Sequence, residues 1–577
     1  MPEDKLHNLR HSLAHLLAAA VLEIWPDAKP SIGPSIENGF YYDFDLPEKI
    51  SENDLSKIET KMKEILPSWD SFQRIEVSPV EAKEKFAHNP YKIELIDEIA
   101  ASQQPITLYR SGNFTDLCRG GHVNTPNRDI KSDAFKLDRV AGAYWRGDEK
   151  NKMLTRIYGL AFETKEELEK YVAFRDEMAK RDHRVLGPKL GLFLFHEWSP
   201  GIPFYQPKGT VVRNELEKFV REISYGPGYS EVKLPQLFDA ELWKTSGHWE
   251  HFQNDMFILK VEDRDFALKP MNCPGHMILY KQGLYSYKDL PLRLAEASTL
   301  FRNELSGALG GLTRVRAFAQ DDCHIFLTPE QVSDEVTELL GRIKKIYDIF
   351  GMEIGDVFLS TRPEQAMGTA EEWKKAENAL GQALEKANWK YEINPGDGAF
   401  YGPKIDMQIK DALGRKWQLA TIQLDFQMPK RFELEYVDSD GSRKTPIVIH
   451  RAILGSFERF LGILIEQFAG AFPVWLSPVQ AIILPISEKH LDYARQTAAK
   501  LFESGIRVEI DERNESVGKK IRDAELQKIP YMLVIGDKEV KSNSVTVRKR
   551  GEKEQQSLNL DEFNDKINIE IKEKRLF

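Results

Sequence analysis

Cysteine is scarce in this chain: Cys118, Cys273 and Cys323 are the only three in 577 residues. So few thiols exclude a disulfide framework, and two of them stand in segments rich in Gly and His, which reads as intracellular thiol chemistry. No uncharged apolar run reaches the ~20 residues that a membrane span needs, and no basic-then-apolar leader opens the sequence. The expectation is a cytoplasmic protein with no membrane partner. Internal repeats and low-complexity tracts are also missing, which leaves ordinary packed domains. Net positive charge is lacking as well: 80 Lys and Arg against 90 Asp and Glu give −10. That sum alone argues against a nucleic-acid partner, because neutralising phosphates takes clustered Lys and Arg. Local clusters exist in Lys180-Arg181-Asp182-His183-Arg184, Lys519-Lys520-Ile521-Arg522 and Arg548-Lys549-Arg550. Each reads equally as an RNA contact or a solvated surface.

What is present is enough apolar material, 41% of residues, for three or four packed domains at ~150 residues each. Leu9 to Trp25 carries Leu13, Leu16, Leu17, Ala20, Val21 and Ile24 at helical spacing and stops before Pro26, while Phe40 to Phe44 alternates like a strand. An α+β module therefore opens the chain. Thr164 to Arg184 is a charged helical linker. From Leu190 to Trp475, strand-like runs such as Trp417 to Phe426 alternate with amphipathic helices such as Pro329 to Phe350, predicting an antiparallel sheet flanked by helices. Beyond Trp475, the strands Ala481 to Leu484, Val508 to Ile510 and Tyr531 to Ile535 alternate with helices over Glu488 to Ser504 and Val517 to Gln527. That pattern predicts a compact sheet of parallel type.

Chemistry concentrates between Phe301 and Phe326. The segment reads as two strand arms joined by a loop containing Gly307, Gly310 and Gly311. Alternation puts Arg302 and Glu304 on one face, and Arg314, Arg316, Phe318, Gln320, Asp322 and His324 on the corresponding face of the second arm. Arginines on a rigid sheet can grip a triphosphate and stabilise charge at its α-phosphate, with Phe318 near to stack a base. The plain alternative is a polar, half-exposed hairpin with paired charges. A second concentration lies near the N-terminus. His11 and His15 are four apart on a helix and share a face, and Cys118 and His122 repeat that spacing around Gly120 and Gly121. This is metal-ligand spacing or a hydrolytic pocket.

Three segments together carry a family resemblance: Pro270-Met271-Asn272-Cys273-Pro274-Gly275-His276, Phe301-Arg302-Asn303-Glu304 with Arg314, and Gly455 to Phe460. They resemble the class II aminoacyl-tRNA synthetases, in particular the threonyl-tRNA synthetase family, with Gly228 to Pro235 as motif 1, the Arg302 segment as motif 2 and the Gly455 segment as motif 3. The likeness runs almost from end to end. It implies an α+β multidomain chain: an editing domain over residues 1–163, a linker helix over 164–186, a class II antiparallel catalytic domain over 187–474 and an α/β anticodon-binding domain over 475–577. Most family members open with a small ubiquitin-like domain, which is expected to be lacking here.

The resemblance further implies ATP-dependent activation of L-threonine, its transfer to tRNA(Thr), and hydrolytic editing of mischarged seryl-tRNA(Thr). Cys273, His324 and His450 are implied to hold one zinc ion per subunit, with an open fourth position that takes the amine and hydroxyl of threonine. A site demanding a hydroxyl can reject valine by ~10⁴ or more, whereas one methyl separates serine by only ~1–3 kcal/mol, so editing has a physical reason. Cys323 should face away from His324 into the core. By resemblance Arg302 holds the α-phosphate, Glu304 the adenine amino group, Arg314 the γ-phosphate and Arg459 the far side of the nucleotide, with Mg²⁺ accompanying ATP. Gln320, Asp322, Tyr401, Lys404, Gln418 and Gln423 line the pocket, with Asp322 meeting the substrate amine. His11, His15, Cys118 and His122 match the editing pocket, and Asn514, Arg522, Glu539 and Arg548 match anticodon contacts. Motif 1 implies a homodimer. The rival readings are a prolyl- or seryl-type class II enzyme, or an RNA-binding derivative without catalysis.

Overall fold

The computed structural model describes residues 2–576. It divides into two units, Met1–Glu177 and Met178–Phe577. In the first unit the helix Pro2–Ile24 forms where the apolar spacing places it, burying Leu9, Leu13, Leu16, Leu17, Ala20 and Val21. It packs on an antiparallel sheet in which Gly39–Asp45 lies between Lys29–Pro30 and Met153–Ala161, with Phe135–Tyr144 next. A smaller three-stranded sheet, Gln73–Val77, Ile106–Ser111 and Phe114–Leu117, delivers Cys118 directly after its last strand.

The second unit is built on an eight-stranded sheet in the order Tyr229–Glu231, Leu292–Glu296, Asp322–Leu327, Ile447–Ala452, Lys416–Asp425, Lys404–Lys410, Glu353–Ser360 and Glu392–Asn394. The interior pairs are antiparallel, as expected, and only the two outermost pairs are parallel. One face packs on the helices Pro207–Phe219, Val332–Phe350, Ala370–Lys386 and Phe457–Gln467 in the largest apolar core of the chain. The other carries the candidate site.

Two expectations need correction. The segment from Phe301 to Phe326 is not one two-armed hairpin. Thr299–Phe301 and Ala317–Ala319 form a short separate pair, two 3₁₀ turns occupy the loop, and Asp322–Leu327 belongs to the main sheet. The break falls at Gln320-Asp321, where the fully buried Asp321 carboxylate accepts from the backbone N–H groups of Ile453 and Leu454 and pairs with Arg451. Satisfying those donors fixes the chain as it crosses from one sheet to the other. The C-terminal sheet is likewise mixed. Its order is Val508–Ile510, Ala481–Pro485, Tyr531–Ile535, Ser544–Lys549, Gln555–Asn559, parallel through the first three and antiparallel over the last two. The alternating β and α pattern carried no sign of that terminal hairpin.

Candidate active site and editing pocket

Register places Leu294, His324, His450, Gln423, Lys404 and Ser360 side by side on consecutive strands of the large sheet. Directly opposed residues share a face, so from His324 to Ser360 one polar row crosses the sheet. Cys273 enters from the start of the helix Cys273–Lys281, and the ligand atoms of Cys273, His324 and His450 lie within 4.8 Å of one another, all buried. Burial pushes the Cys273 thiol well up, with Asp322 and Asp425 adding to it, and pushes His324 well below its usual value, with His450 and His276 adding to it. Cys323 is wholly buried on the core side, as alternation requires.

Sequence reasoning missed what stands behind this cluster. His276 Nδ1 lies 2.7 Å from His324 Nδ1, and its Nε2 lies 3.5 Å from Glu296 Oε2. Glu296 is held by Lys269 at 3.1 Å and by the Leu234 N–H at 2.8 Å. Burial alone would push Glu296 up, yet His276, the Leu234 N–H, Ser298 and Lys269 bring it down to about 2. His450 Nε2 has its own carboxylate partner, Asp425, at 3.0 Å. Such partners fix tautomer and ring orientation at a metal-ligating histidine. His276 closes the segment 270–276, but nothing in the sequence ties it to Glu296. Another missed residue, His248, donates or accepts at Ser246 Oγ (2.7 Å) and is brought down to about 3, mainly by burial.

Around the row, Tyr401 stacks on His450 with ring centroids 5.0 Å apart and donates its hydroxyl to Gln423. Lys404 pairs with Asp406 at 2.8 Å and Asp397 at 3.2 Å. Asp322 accepts from Asn272 Nδ2 at 3.0 Å, and its carboxyl is raised by burial. Gln320 bridges to Ser456 at the entry to the helix Phe457–Gln467. Gln418 and Gln423 are an odd number apart and strict alternation would separate them. However, the strand gains one residue between Gln418 and Thr421 relative to its neighbour, so Gln418 faces Gln408 on the same side as Gln423. A bulge of this kind re-aims a side chain.

Of the three motif arginines, Arg314 is exposed and Arg302 and Arg459 are half-buried. Arg302 lies over Phe252 and Phe318, 5.5 and 5.0 Å from their centroids, so its guanidinium covers one face of the proposed stacking ring Phe318. Glu304 and Arg314 pair through Oε2 at 2.8 and 2.9 Å. Arg459 lies over Trp417 at 5.6 Å and is held below its usual value by burial and by Arg314. The buried Nε atoms of Arg302 and Arg459 have no hydrogen-bond partner among the described residues. Buried donors rarely stay unpaired.

The first unit brings His11, His15, Cys118 and His122 together within 4.8 Å. His11 Nε2 is 3.1 Å and His122 Nε2 3.3 Å from Cys118 Sγ. Gly120 and Gly121, with φ of +103° and +86°, turn the chain so that this is possible, and a Cβ on Gly120 would strike the Tyr109 hydroxyl at 2.5 Å. A cavity of about 720 Å³ adjoins the group and is also lined by Tyr42, Lys92 and Asp116. These three were not read from sequence. Lys92 Nζ meets Asp116 Oδ1 at 2.5 Å, Tyr42 donates to Asp116 Oδ2 at 2.5 Å, and His15 Nδ1 lies 3.3 Å from the same oxygen. Burial holds His11 below its usual value, His15 well below it and His122 down to about 2, and pushes Cys118 up to about 11. The imidazoles are thus neutral bases around a protonated thiol.

In the C-terminal region Asn514 and Arg522 are exposed, and the buried Nε of Arg548 has no hydrogen-bond partner among the described residues. Glu539 is different: its two oxygens accept from the Gly536 N–H at 2.9 Å and Thr546 Oγ1 at 2.8 Å. Parts of the basic clusters are also spent internally. Lys520 donates to the Pro485 and Asp511 carbonyls, Arg550 to those of Ala471 and Phe472, and Arg181 to that of Gln467.

This architecture is that of a class II aminoacyl-tRNA synthetase: residues 257–468 match the model of the class II core domain for the G, H, P, S and T enzymes. Residues 480–569 match an anticodon binding domain, and residues 106–158 match the second additional domain of threonyl- and alanyl-tRNA synthetases. The chain is 52% identical over 564 residues to a threonine–tRNA ligase of Clostridioides difficile, covering 97% of this chain and 88% of that one. It is 50% identical over 567 residues to threonine–tRNA ligase 2 of Bacillus subtilis, covering 98% and 88%. A crystal structure of the RNA binding domain of threonyl-tRNA synthetase from Cryptosporidium parvum superposes with a TM-score of 0.66 at 47% identity, covering 67% of this chain and 98% of that one. The chain belongs to the threonyl-tRNA synthetase family.

Proposed function

We propose that the family's activity, ATP-dependent ligation of threonine to tRNA with hydrolytic removal of wrongly attached serine, is divided between the two pockets described above. The observation carrying this reading is the convergence of Cys273, His324 and His450 on one buried wall. One thiol and two imidazoles, each imidazole backed by a fixed partner, suit a zinc ion with an open coordination position. Bound there, zinc would supply chelation of the threonine amine and hydroxyl. Asp322 is placed to accept from the amine, and Tyr401 with Gln423 closes the pocket around the side chain. Arg302 and Arg459 have unpaired donors for the phosphates of ATP–Mg²⁺, and Glu304 and Arg314 exchange their mutual ion pair for adenine and γ-phosphate. Alignment and charge neutralisation do most of the work. Lys404, Gln320 and Gln418 complete the polar lining, and Phe318 backs Arg302.

In the first unit the neutral histidines position or activate water against the seryl ester, with Lys92 and Asp116 fixing the pocket's polarity. The same four donors could instead hold a structural zinc, and metal analysis of a Cys118→Ser variant separates the two. Asn514, Arg522 and Arg548 face anticodon bases, whose edges are free in a loop, while Glu539 shapes the turn at Gly536. A second copy of the chain would dock along the edge strand Tyr229–Glu231, and the protein would work in the cytoplasm beside its tRNA. No helix among the described residues is long and apolar enough to cross a membrane. The test is ATP–pyrophosphate exchange across an amino-acid panel: threonine should support it, and exchange with proline but not threonine would overturn the assignment.

A further inference from the structure

A third group of metal-binding residue types, Asp182, His183 and Glu466, shares no residue with the other two. Its geometry is not that of a vacant ligand set. His183 Nδ1 is 2.6 Å from Glu466 Oε1, the His183 backbone N–H donates to the same oxygen at 3.1 Å, and the Leu312 N–H donates to His183 Nε2 at 3.0 Å. Both ring nitrogens are therefore used, and the tautomer is fixed: Nδ1 carries the proton and Nε2 offers its lone pair to Leu312. Glu466, on the helix Phe457–Gln467, is held in turn by Arg415. Leu312 is buried in the core within the loop between Arg302 and Arg316, two residues before Arg314.

The loop is shaped around this ring. Gly311 sits at φ +61°, and a Cβ there would fall 2.3 Å from His183 Nε2. On the helix Phe457–Gln467, a Cβ on Gly462 would press Leu312 Cβ at 3.2 Å and would meet His183 Cδ2 in ordinary contact at 3.5 Å. Gly311 thus leaves room for the imidazole, and Gly462 for the side chain of Leu312, whose backbone N–H donates to that imidazole. Without His183, the buried Leu312 N–H would lose its acceptor, a loss larger than that of an exposed hydrogen bond.

We propose that His183 is a positioning residue for nucleotide binding, a strut from Glu466 to the Leu312 amide that sets the loop carrying Arg314. The inference rests on the reading above in which Arg314 meets ATP. It makes His183 act on one substrate only, because the Cys273, His324 and His450 wall belongs to other elements.

The test is exchange kinetics of the full chain. His183→Asn keeps a donor toward Glu466 but ends short of Leu312, and should raise the KM for ATP about tenfold while the KM for threonine stays within about twofold. His183→Gln can return an acceptor to Leu312 and should hold the ATP KM within about threefold of the parent. Gly311→Ala pushes on the same contact from the loop side. It should reproduce the His183→Asn defect, and the double variant should be no worse than the more impaired single one. Equal ATP and threonine losses in His183→Asn, or Gln behaving no better than Asn, would overturn the proposal. Arg314→Ala distinguishes the two levels. If it leaves the ATP KM unchanged, the reading of the loop fails. If it raises the ATP KM and His183→Asn does not, only the strut fails.

Discussion

His324 and His450 stand directly opposite each other on neighbouring antiparallel strands, their ring centroids 4.5 Å apart and nearly perpendicular. Directly opposed residues are the closest cross-strand neighbours a sheet provides, so the backbone register itself sets the gap that Cys273 closes. Removing one ligand should therefore empty the site rather than loosen it. Cys273→Ser or His324→Ala should lose metal by elemental analysis and slow threonine-dependent exchange by about 100-fold or more, with seryl-tRNA hydrolysis unchanged. Full retention of exchange without metal would contradict the zinc reading.

Arg302 lies over two phenylalanine rings and retains an unpaired buried Nε. A planar, forked donor is needed there, and lysine cannot supply one. Arg302→Lys should lower threonine activation nearly as far as Arg302→Ala, by about 10²–10³-fold, in single-turnover formation of the adenylate. Recovery of most of the rate by lysine would show that a point charge suffices.

The editing pocket should separate cleanly from activation. His15→Ala is expected to slow hydrolysis of seryl-tRNA(Thr) by about 10²-fold, the usual worth of a positioned base, and to leave ATP–pyrophosphate exchange at the parental rate. Equal hydrolysis by the variant would remove His15 from the mechanism.

The same imidazoles make the first unit sensitive to acid. His122 titrates near 2 in the folded chain, chiefly through burial, and His15 is well below its usual value, whereas an unfolded histidine binds its proton near 6.5. A depressed folded value means that the stabilising contribution is complete above about 6.5 and is lost progressively as pH falls from there toward the folded value. Resistance of residues 1–163 to proteolysis in urea should drop between pH 7.5 and 5, and His122→Asn should flatten that slope. A pH-independent profile would show that these rings take up protons as readily in the folded chain as in the unfolded one.

A buried pair anchors the crossing between the two sheets. Arg451 and Asp321 are both fully buried and lie 3.4 Å apart. Asp321→Ala leaves the Arg451 charge uncompensated and should cost about 3–5 kcal/mol in denaturant unfolding of the second unit. A loss within the range of ordinary surface substitutions would mean that Ser224 and the backbone carbonyls satisfy Arg451 by themselves.

Periodic features were legible before the structure. The apolar spacing of Leu13, Leu16, Leu17 and Val21 places the first helix and so puts His11 and His15 on one face, and the strand runs near Ile483 and Leu533 pair as their pattern implies. Features that depend on a buried partner far away in the chain were not. Lys92 with Asp116, His276 with Glu296, and His183 with Glu466 leave no periodic trace, since each residue alone looks like an ordinary charged or aromatic side chain. The break at Gln320-Asp321 escaped for the same reason: alternation continues through the letters of the sequence, while Asp321 turns inward to meet the Ile453 and Leu454 amides. Gln418 was reached through resemblance, and only the inserted residue before Thr421 explains why it can share a face with Gln423.

The most direct measurement of the central claim combines metal content with amino-acid selectivity on a single preparation of the parental chain. A stoichiometric zinc ion should accompany exchange that is fast with threonine, detectable with serine and negligible with valine, and chelation should abolish the threonine and serine activities together. Undiminished threonine exchange in zinc-free protein, or valine accepted as readily as serine, would contradict it.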